Sequence, residues 1–221
     1  MSYVPPRPPV RMLVTVAVGK HEEFLAITRP SYESFADRHG YELRAQTNDP
    51  APARANKMWS KIAYIRDLLP DCDELLWIDS DAAIVDTSRD IALDVPRRRF
   101  LGLVEHHYRG QHVPNTGVMF IRSGARADRF FREMWDMTEY LDHGWGDNGA
   151  ALEMFGYRFD AGAEPMVCQP GRRTKWLRKV HLLPIEWNSV AEDMATTPRI
   201  VHVTGSFSHE ERLELLRTVL A

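Results

Sequence analysis

The stretch Leu75-Leu76-Trp77-Ile78-Asp79-Ser80-Asp81-Ala82-Ala83-Ile84-Val85 constrains the fold more than any other part of the chain. Four apolar residues run into Asp79, and after Asp81 the chain turns apolar again. Such a run predicts a strand buried on both faces, as in a parallel or mixed sheet. In an extended chain alternate side chains share a face, so Asp79 and Asp81 are expected on one side and Ser80 on the other. Two carboxylates at the end of a buried strand repel each other and resist desolvation, which calls for a positive group between them or a bound proton. A divalent cation meets that need, and hard oxygen ligands suit Mg²⁺ or Mn²⁺, which keep positions open for substrate phosphate oxygens. Asp-x-Asp also occurs in surface turns, as a solvated pair or a helix cap. The Leu-Leu-Trp-Ile lead-in raises the metal reading above that one.

At 221 residues the chain is long enough for one α/β domain with a sizeable core and short for two. A net charge of −3 argues against a nucleic-acid binder and against a polybasic membrane anchor. Cys72 and Cys168 form neither a CxxC pair nor a zinc spacing, so two reduced thiols are expected. No stretch reaches the length of a membrane span, and Met1 to Pro9 lacks the apolar core of a signal peptide. The expectation is a soluble, cytoplasmic protein with no nucleic-acid or membrane partner.

Residues 1–10 read as a proline-rich arm, extended in the polyproline II manner, leading into a domain over 11–221. Met12 to Val18 is a first buried strand stopping at Gly19, where an α/β domain opens its nucleotide crevice. No GxGxxG follows, so a dinucleotide fold is not supported. Helices are expected over Glu22–His39, ended by Gly40, and over Lys57–Leu69, closed by Pro70. Lys57 and Lys61 would then share a helix face, either as solvated charges or turned toward a phosphate. Tyr41–Ala45 and Phe100–Val104 read as strands, and Pro114–Gly124 as a turn, a buried strand and a second turn. A helix over Ala125–Leu141 turns Phe130, Phe131 and Met134 inward as core. In His143-Gly144-Trp145-Gly146-Asp147-Asn148-Gly149 the glycines let polar groups approach a ligand closely, or Asp147 caps the helix Ala150–Phe155. A last strand, Arg199–Val203, and an amphipathic helix, Glu210–Leu220, close the chain. His202 lies between valines, where a histidine is more often core than ligand.

Six segments in order resemble the metal-dependent glycosyltransferases of the GT-A fold: Arg38-His39-Gly40-Tyr41-Glu42, Trp59-Ser60-Lys61, Trp77-Ile78-Asp79-Ser80-Asp81, Asn115-Thr116-Gly117-Val118, Gly146-Asp147-Asn148 and His202-Val203-Thr204-Gly205. The resemblance is to the Golgi galactosyl-, mannosyl- and xylosyltransferase family, and secondarily to glycogenin-like retaining enzymes. It implies a single GT-A (Rossmann-like) α/β domain with a mixed, mostly parallel central sheet flanked by helices. It further implies that Asp79, Asp81 and His202 hold Mn²⁺ (or Mg²⁺) against the diphosphate of a nucleotide sugar. Val16, Ala17, Val18 and Gly19 would line the nucleoside, and Lys61, Ser80, Asn115, Gly117 and Gly205 would meet the donor. Asp147 and Asn148 match a catalytic Asp-Gln pair near the anomeric carbon, with Asn in place of Gln. The glycogenin-like pattern places a diphosphate-binding lysine six residues after the metal histidine; here that position is Ser208, with His209 and Arg212 beyond.

The implied activity is retaining transfer of a hexose or pentose from a nucleotide-diphosphate sugar to the hydroxyl of a small-molecule or glycan acceptor. Two alternatives stand beside it. One is a sugar-nucleotide binding protein of the same fold with weakened catalysis, which the missing lysine would suit. The other is a phosphatase of the haloacid dehalogenase type, disfavoured by Ala83 where that family wants Thr or Val and by the lack of a later Asp-Asp pair.

Overall fold

The computed structural model describes residues 7–54, 56–160, 162–164, 166–204 and 206–221, so most of the proline-rich arm and Gly205 lie outside the described residues. β1 (Arg11–Val16) is buried along its middle four residues, and α1 (His21–His39) packs behind it. The helix continues through Pro30 and buries Phe24, Leu25, Thr28, Tyr32, Phe35 and Ala36, one face of a 3.6-residue repeat. Gly40 ends it in the left-handed conformation (φ 70°, ψ 38°), which costs a residue without a Cβ nothing. β2 (Glu42–Gln46), α2 (Trp59–Leu68), β3 (Glu74–Ile78) and the short β4 (Ala82–Ile84) follow. β5 (Leu101–Tyr108) and β6 (Gln111–Arg122) form a long hairpin. After α3 (Ala125–Trp135) and α4 (Gly146–Phe155) come a small hairpin, β7 (Tyr157–Asp160) and β8 (Val167–Pro170), then β9 (Val180–Leu183), β10 (Ile200–His202) and α5 (His209–Leu220).

The central sheet runs β2-β1-β3-β6-β5-β9. β1 is parallel to β2 and β3, and β5 is parallel to β9, while β6 is antiparallel to both its neighbours. The result is the mixed, largely parallel sheet flanked by helices that the sequence implied. Alternate residues of β3 feed opposite faces: Leu75 and Trp77 meet Trp59, Phe130 and Phe155 on one side, and Leu76 and Ile78 meet Tyr32, Phe35 and Trp187 on the other. Each such side chain contributes about 1.5–3 kcal/mol on burial, which is why the β3 register is firmly set. Cys72 and Cys168 are buried and unpaired, and burial pushes their thiols up to about 11 and about 12. Among the described residues no helix is long and apolar enough to cross a membrane.

The acidic stretch departs from the expected geometry. β3 ends at Ile78, and Asp79-Ser80-Asp81 form a turn in which the Ala82 N–H bonds the Asp79 carbonyl at 3.0 Å. β4 then leaves the central sheet and pairs antiparallel with β10. Strand alternation therefore does not bring the two carboxylates together; the turn does. Helix α1 holds it there, since the Tyr32 hydroxyl reaches the carbonyls of Asp79 (3.0 Å) and Ala82 (2.5 Å) and the Thr28 hydroxyl bonds that of Ser80 (3.1 Å). Two helices also differ in length. α2 starts at Trp59, leaving Lys57 outside it, and α3 stops at Trp135 before a separate 3-10 turn at Thr138–Tyr140.

Candidate active site

The acidic turn lies at the carboxyl end of β3, beside the carboxyl end of β1, and floors a cleft of about 320 Å³. That is the small end of the range for small-molecule sites, room for one compact ligand. Asp79, Ser80, Asp81, Lys61, Asp147, Val16 and Val18 line it, together with His21, Lys57, Met58, Ser60 and Trp77.

Asp79, Asp81 and His202 each bring one ligand atom within 4.8 Å of the others. His202 arrives on β10, whose pairing with β4 sets His202 opposite Ala82. Its Nε2 lies 3.4 Å from Asp81 Oδ1. Its Nδ1 lies 3.1 Å from Asn188 Oδ1, and a short relay explains why that contact is oriented. Asn115 Oδ1 accepts the Gly117 N–H (2.7 Å) and the Asn188 amide (2.9 Å), which turns Asn188 Oδ1 toward the ring. Nδ1 therefore carries the proton and Nε2 presents its lone pair to the acids, the tautomer a metal ligand needs. Burial holds the His202 pKa below its ordinary value, with Asp79 opposing and Lys61 reinforcing, so the ring is neutral at pH 7. Gly117 is required for this seat: a Cβ there would stand 2.2 Å from His202 Cε1. Two carboxylates and one neutral imidazole fit Mn²⁺ or Mg²⁺, and the imidazole tilts the choice toward Mn²⁺.

Lys61, on α2, is buried between two acids. Its ammonium lies 3.1 Å from Asp79 Oδ1, 3.0 Å from Asp147 Oδ2 and 3.2 Å from the Thr116 carbonyl. Burial works against its charge, but Asp147 and Asp79 outweigh it and raise its pKa above the ordinary value. Trp77 Nε1 donates to Asp79 at 2.7 Å, and the Thr116 hydroxyl donates to Asp147 at 2.8 Å. Asp147 and Asn148 lie in the first turn of α4, which begins at Gly146 and not at Ala150. Asp147 makes no capping bond; its carboxylate points into the cleft, where the helix N-terminus favours negative charge. Asn148 Oδ1 instead takes the Thr116 N–H at 2.9 Å.

Some implied contacts fall elsewhere. Ala17 is fully buried in the core, and Gly19 (φ 63°) belongs to the turn entering α1, so neither is among the residues lining the cleft. Asn115 and Gly117 act behind His202. Ser208, at the position of the family's lysine, is occupied as the N-cap of α5, in a capping box with Glu211. Arg212, one turn on, reaches the turn instead: its guanidinium pairs with Asp81, its Nε bonds the Val203 carbonyl at 2.9 Å, and it stacks over Phe24 at 4.5 Å. His21 and His209 flank the same phenyl ring, and His21 Nδ1 sits 3.3 Å from Ser80 Oγ.

No family model and no curated protein matches the chain. Solved structures do. A glycosyltransferase involved in glycosylation of the major capsid of PBCV-1 superposes with a TM-score of 0.65 over 94% of this chain and 99% of its own, at 17% identity. This chain has a glycosyltransferase fold. The galactosyltransferase LgtC, solved with donor and acceptor sugar analogues, gives a TM-score of 0.57 over 94% and 96% of the two chains at 12% identity. GlyE of Streptococcus pneumoniae gives 0.54 over 95% and 63% at 14%. Within that glycosyltransferase fold, the cleft and the acidic turn sit outside the carboxyl ends of parallel strands, where open α/β sheets bind their ligands.

Proposed function

We propose that the protein is a metal-dependent retaining glycosyltransferase that moves a hexose or pentose from a nucleotide-diphosphate sugar to an acceptor hydroxyl. The observation carrying this reading is the convergence of the His202 Nε2 lone pair, from behind, on Asp79 and Asp81, the two acids that line a cleft whose size suits one ligand. A divalent cation held there would neutralise the charge of the departing diphosphate as a Lewis acid. The protein's own residues would do the rest. Val16 and Val18 would face the nucleoside, Lys61 would hold Asp79 and Asp147 in place, and Asp147 would orient the donor sugar beside its anomeric carbon. In the retaining families that the motifs resemble, the leaving phosphate itself takes the acceptor proton on the same face. The haloacid dehalogenase alternative remains disfavoured by Ala83, where that family wants Thr or Val four residues after its first Asp.

Arg212 supports a role that the displaced lysine would otherwise fill. Its guanidinium pairs with Asp81; a cation held by Asp81 would compete for that carboxylate and leave the guanidinium free to meet the diphosphate. Arg212→Ala is expected to bind Mn²⁺ more tightly, because the largely buried ion pair that competes for Asp81 is gone, while the KM for donor rises. Isothermal titration with Mn²⁺, paired with donor kinetics, checks both signs.

The activity itself is tested with Mn²⁺ and a panel of UDP- and GDP-sugars, measuring released nucleoside diphosphate. Slow metal-dependent hydrolysis of one donor is the expected result. Tight donor binding without any release would favour the sugar-nucleotide binding alternative, and phosphomonoester cleavage the phosphatase.

A further inference from the structure

The β5–β6 hairpin brings together a second set of metal-ligating side chains, apart from the acidic turn. Its two turn residues, Arg109 and Gly110, both have positive φ (49° and 71°), the conformation that matches the twist of a two-residue hairpin. That closure places His107 directly opposite His112 in the ladder. Directly opposed side chains touch, and the two imidazole centroids are 4.4 Å apart. Glu105, two residues back, shares their face of the hairpin. Its Oε1 lies 2.7 Å from His107 Nε2 and 3.3 Å from His112 Nδ1, and its other oxygen accepts from the Tyr157 hydroxyl on β7. One ligand atom from each of the three lies within 4.8 Å of the others. The intervening His106 turns the opposite way, its Nδ1 3.5 Å from Asp193.

We propose that Glu105, His107 and His112 form a second metal site, one that takes a divalent transition cation of the zinc class. Two imidazoles and one carboxylate, with a fourth position open, make a common zinc donor set. The set is nitrogen-rich where Asp79, Asp81 and His202 are oxygen-rich, so the two sites sort a softer ion from a harder one. Tyr157 supplies the outer contact that fixes the carboxylate's orientation. Burial opposes the charge on Glu105, but Tyr157, His107 and His112 outweigh it and keep its pKa below the ordinary carboxylate value. The Glu105 side chain is only 9% exposed, against 61% for His107 and 38% for His112, so the site is anchored at its base and open to solvent at its rim. A cation there would tie the hairpin tip to β7 through Glu105 and Tyr157.

The test does not depend on glycosyl transfer. In the protein carrying Asp81→Asn, which weakens the acidic turn as a competitor, Zn²⁺ is titrated against a chromophoric chelator. One equivalent is expected to bind at micromolar affinity or tighter, and His107→Ala or His112→Ala is expected to weaken it beyond the roughly 10–100-fold that loss of an outer-shell contact costs. Cu²⁺ in the same protein should show electron paramagnetic coupling to two nitrogens, reduced to one by either substitution. Both imidazoles sit at an exposed tip, so the variants should melt with the parent. Zn²⁺ affinity unchanged in the double variant His107→Ala/His112→Ala, or binding weaker than about 100 µM in the Asp81→Asn parent, overturns the proposal.

Discussion

Asp81→Asn is expected to lower kcat/KM for donor turnover by on the order of 10²–10³-fold while leaving the fold intact. The magnitude is that of removing an electrostatic contact made where charge develops in the transition state. Asn keeps the side chain's volume and an oxygen that can still accept from Arg212 and sit beside His202, so the fold is kept, but the largely buried guanidinium loses its counter-charge and some stability goes with it. What would disappear is one of the two proposed anionic ligands and, with it, affinity for the proposed cation. The loss should appear in kcat at saturating donor and should be relieved only in part by raising Mn²⁺. Turnover near the parent rate with Mn²⁺ present would mean that the acidic turn is a structural feature and not the metal site. The melting temperature separates the two cases, because a misfolded variant loses both signals together.

Lys61→Met is the second large effect, and it should strike stability as well as activity. The ammonium of Lys61 is 8% exposed and pairs with Asp147, itself 5% exposed, and with Asp79. Deleting one partner of a buried pair leaves an uncompensated charge, at a cost of about 3–5 kcal/mol. At about 2–4 °C per kcal/mol for a domain of this size, the melting temperature should fall by roughly 6–20 °C. The coupling is what identifies the cause: Lys61→Met combined with Asp147→Asn should recover a large part of that loss, since the buried carboxylate goes with its cation. If the single variant melts with the parent, Lys61 does not hold Asp147 and Asp79 as described. Activity should not recover in the double variant, because Asp147 is also proposed to orient the donor sugar.

Much of this is legible in the motifs of the sequence itself. The apolar lead-in to Asp79, Gly40 closing α1, and Lys61 within α2 all sit in local patterns of burial, capping and helical spacing. The supports of the site were not legible, because they are long-range. Arg212 reaches Asp81 across 131 positions, and Lys61 reaches Asp147 across 86. Asn188 fixes the His202 ring from just beyond the 3-10 turn Ile185–Trp187, where no local pattern marks it. Strand alternation misled at Asp79-Ser80-Asp81 for a related reason: the turn is imposed by Tyr32 and Thr28 on α1, some 50 residues earlier. The short strands β7, β8 and β9 carry no such signal, since each has only four residues, too few for a period to emerge. The helix proposed to begin at Ala150 starts four residues earlier because a glycine, Gly146 at φ 41°, can turn tightly against Met58 and enter the first turn.

The central claim is that one cation is gripped by the acidic turn and the β10 histidine together. Crystals grown with Mn²⁺ and a nucleoside diphosphate, measured at the manganese absorption edge, test it directly. The account predicts one strong anomalous peak bonded to Asp79, Asp81 and His202 Nε2, with Arg212 moved off Asp81. A peak that leaves His202 unligated, with its ring still bonded to Asn188 and Arg212 still on Asp81, would contradict it.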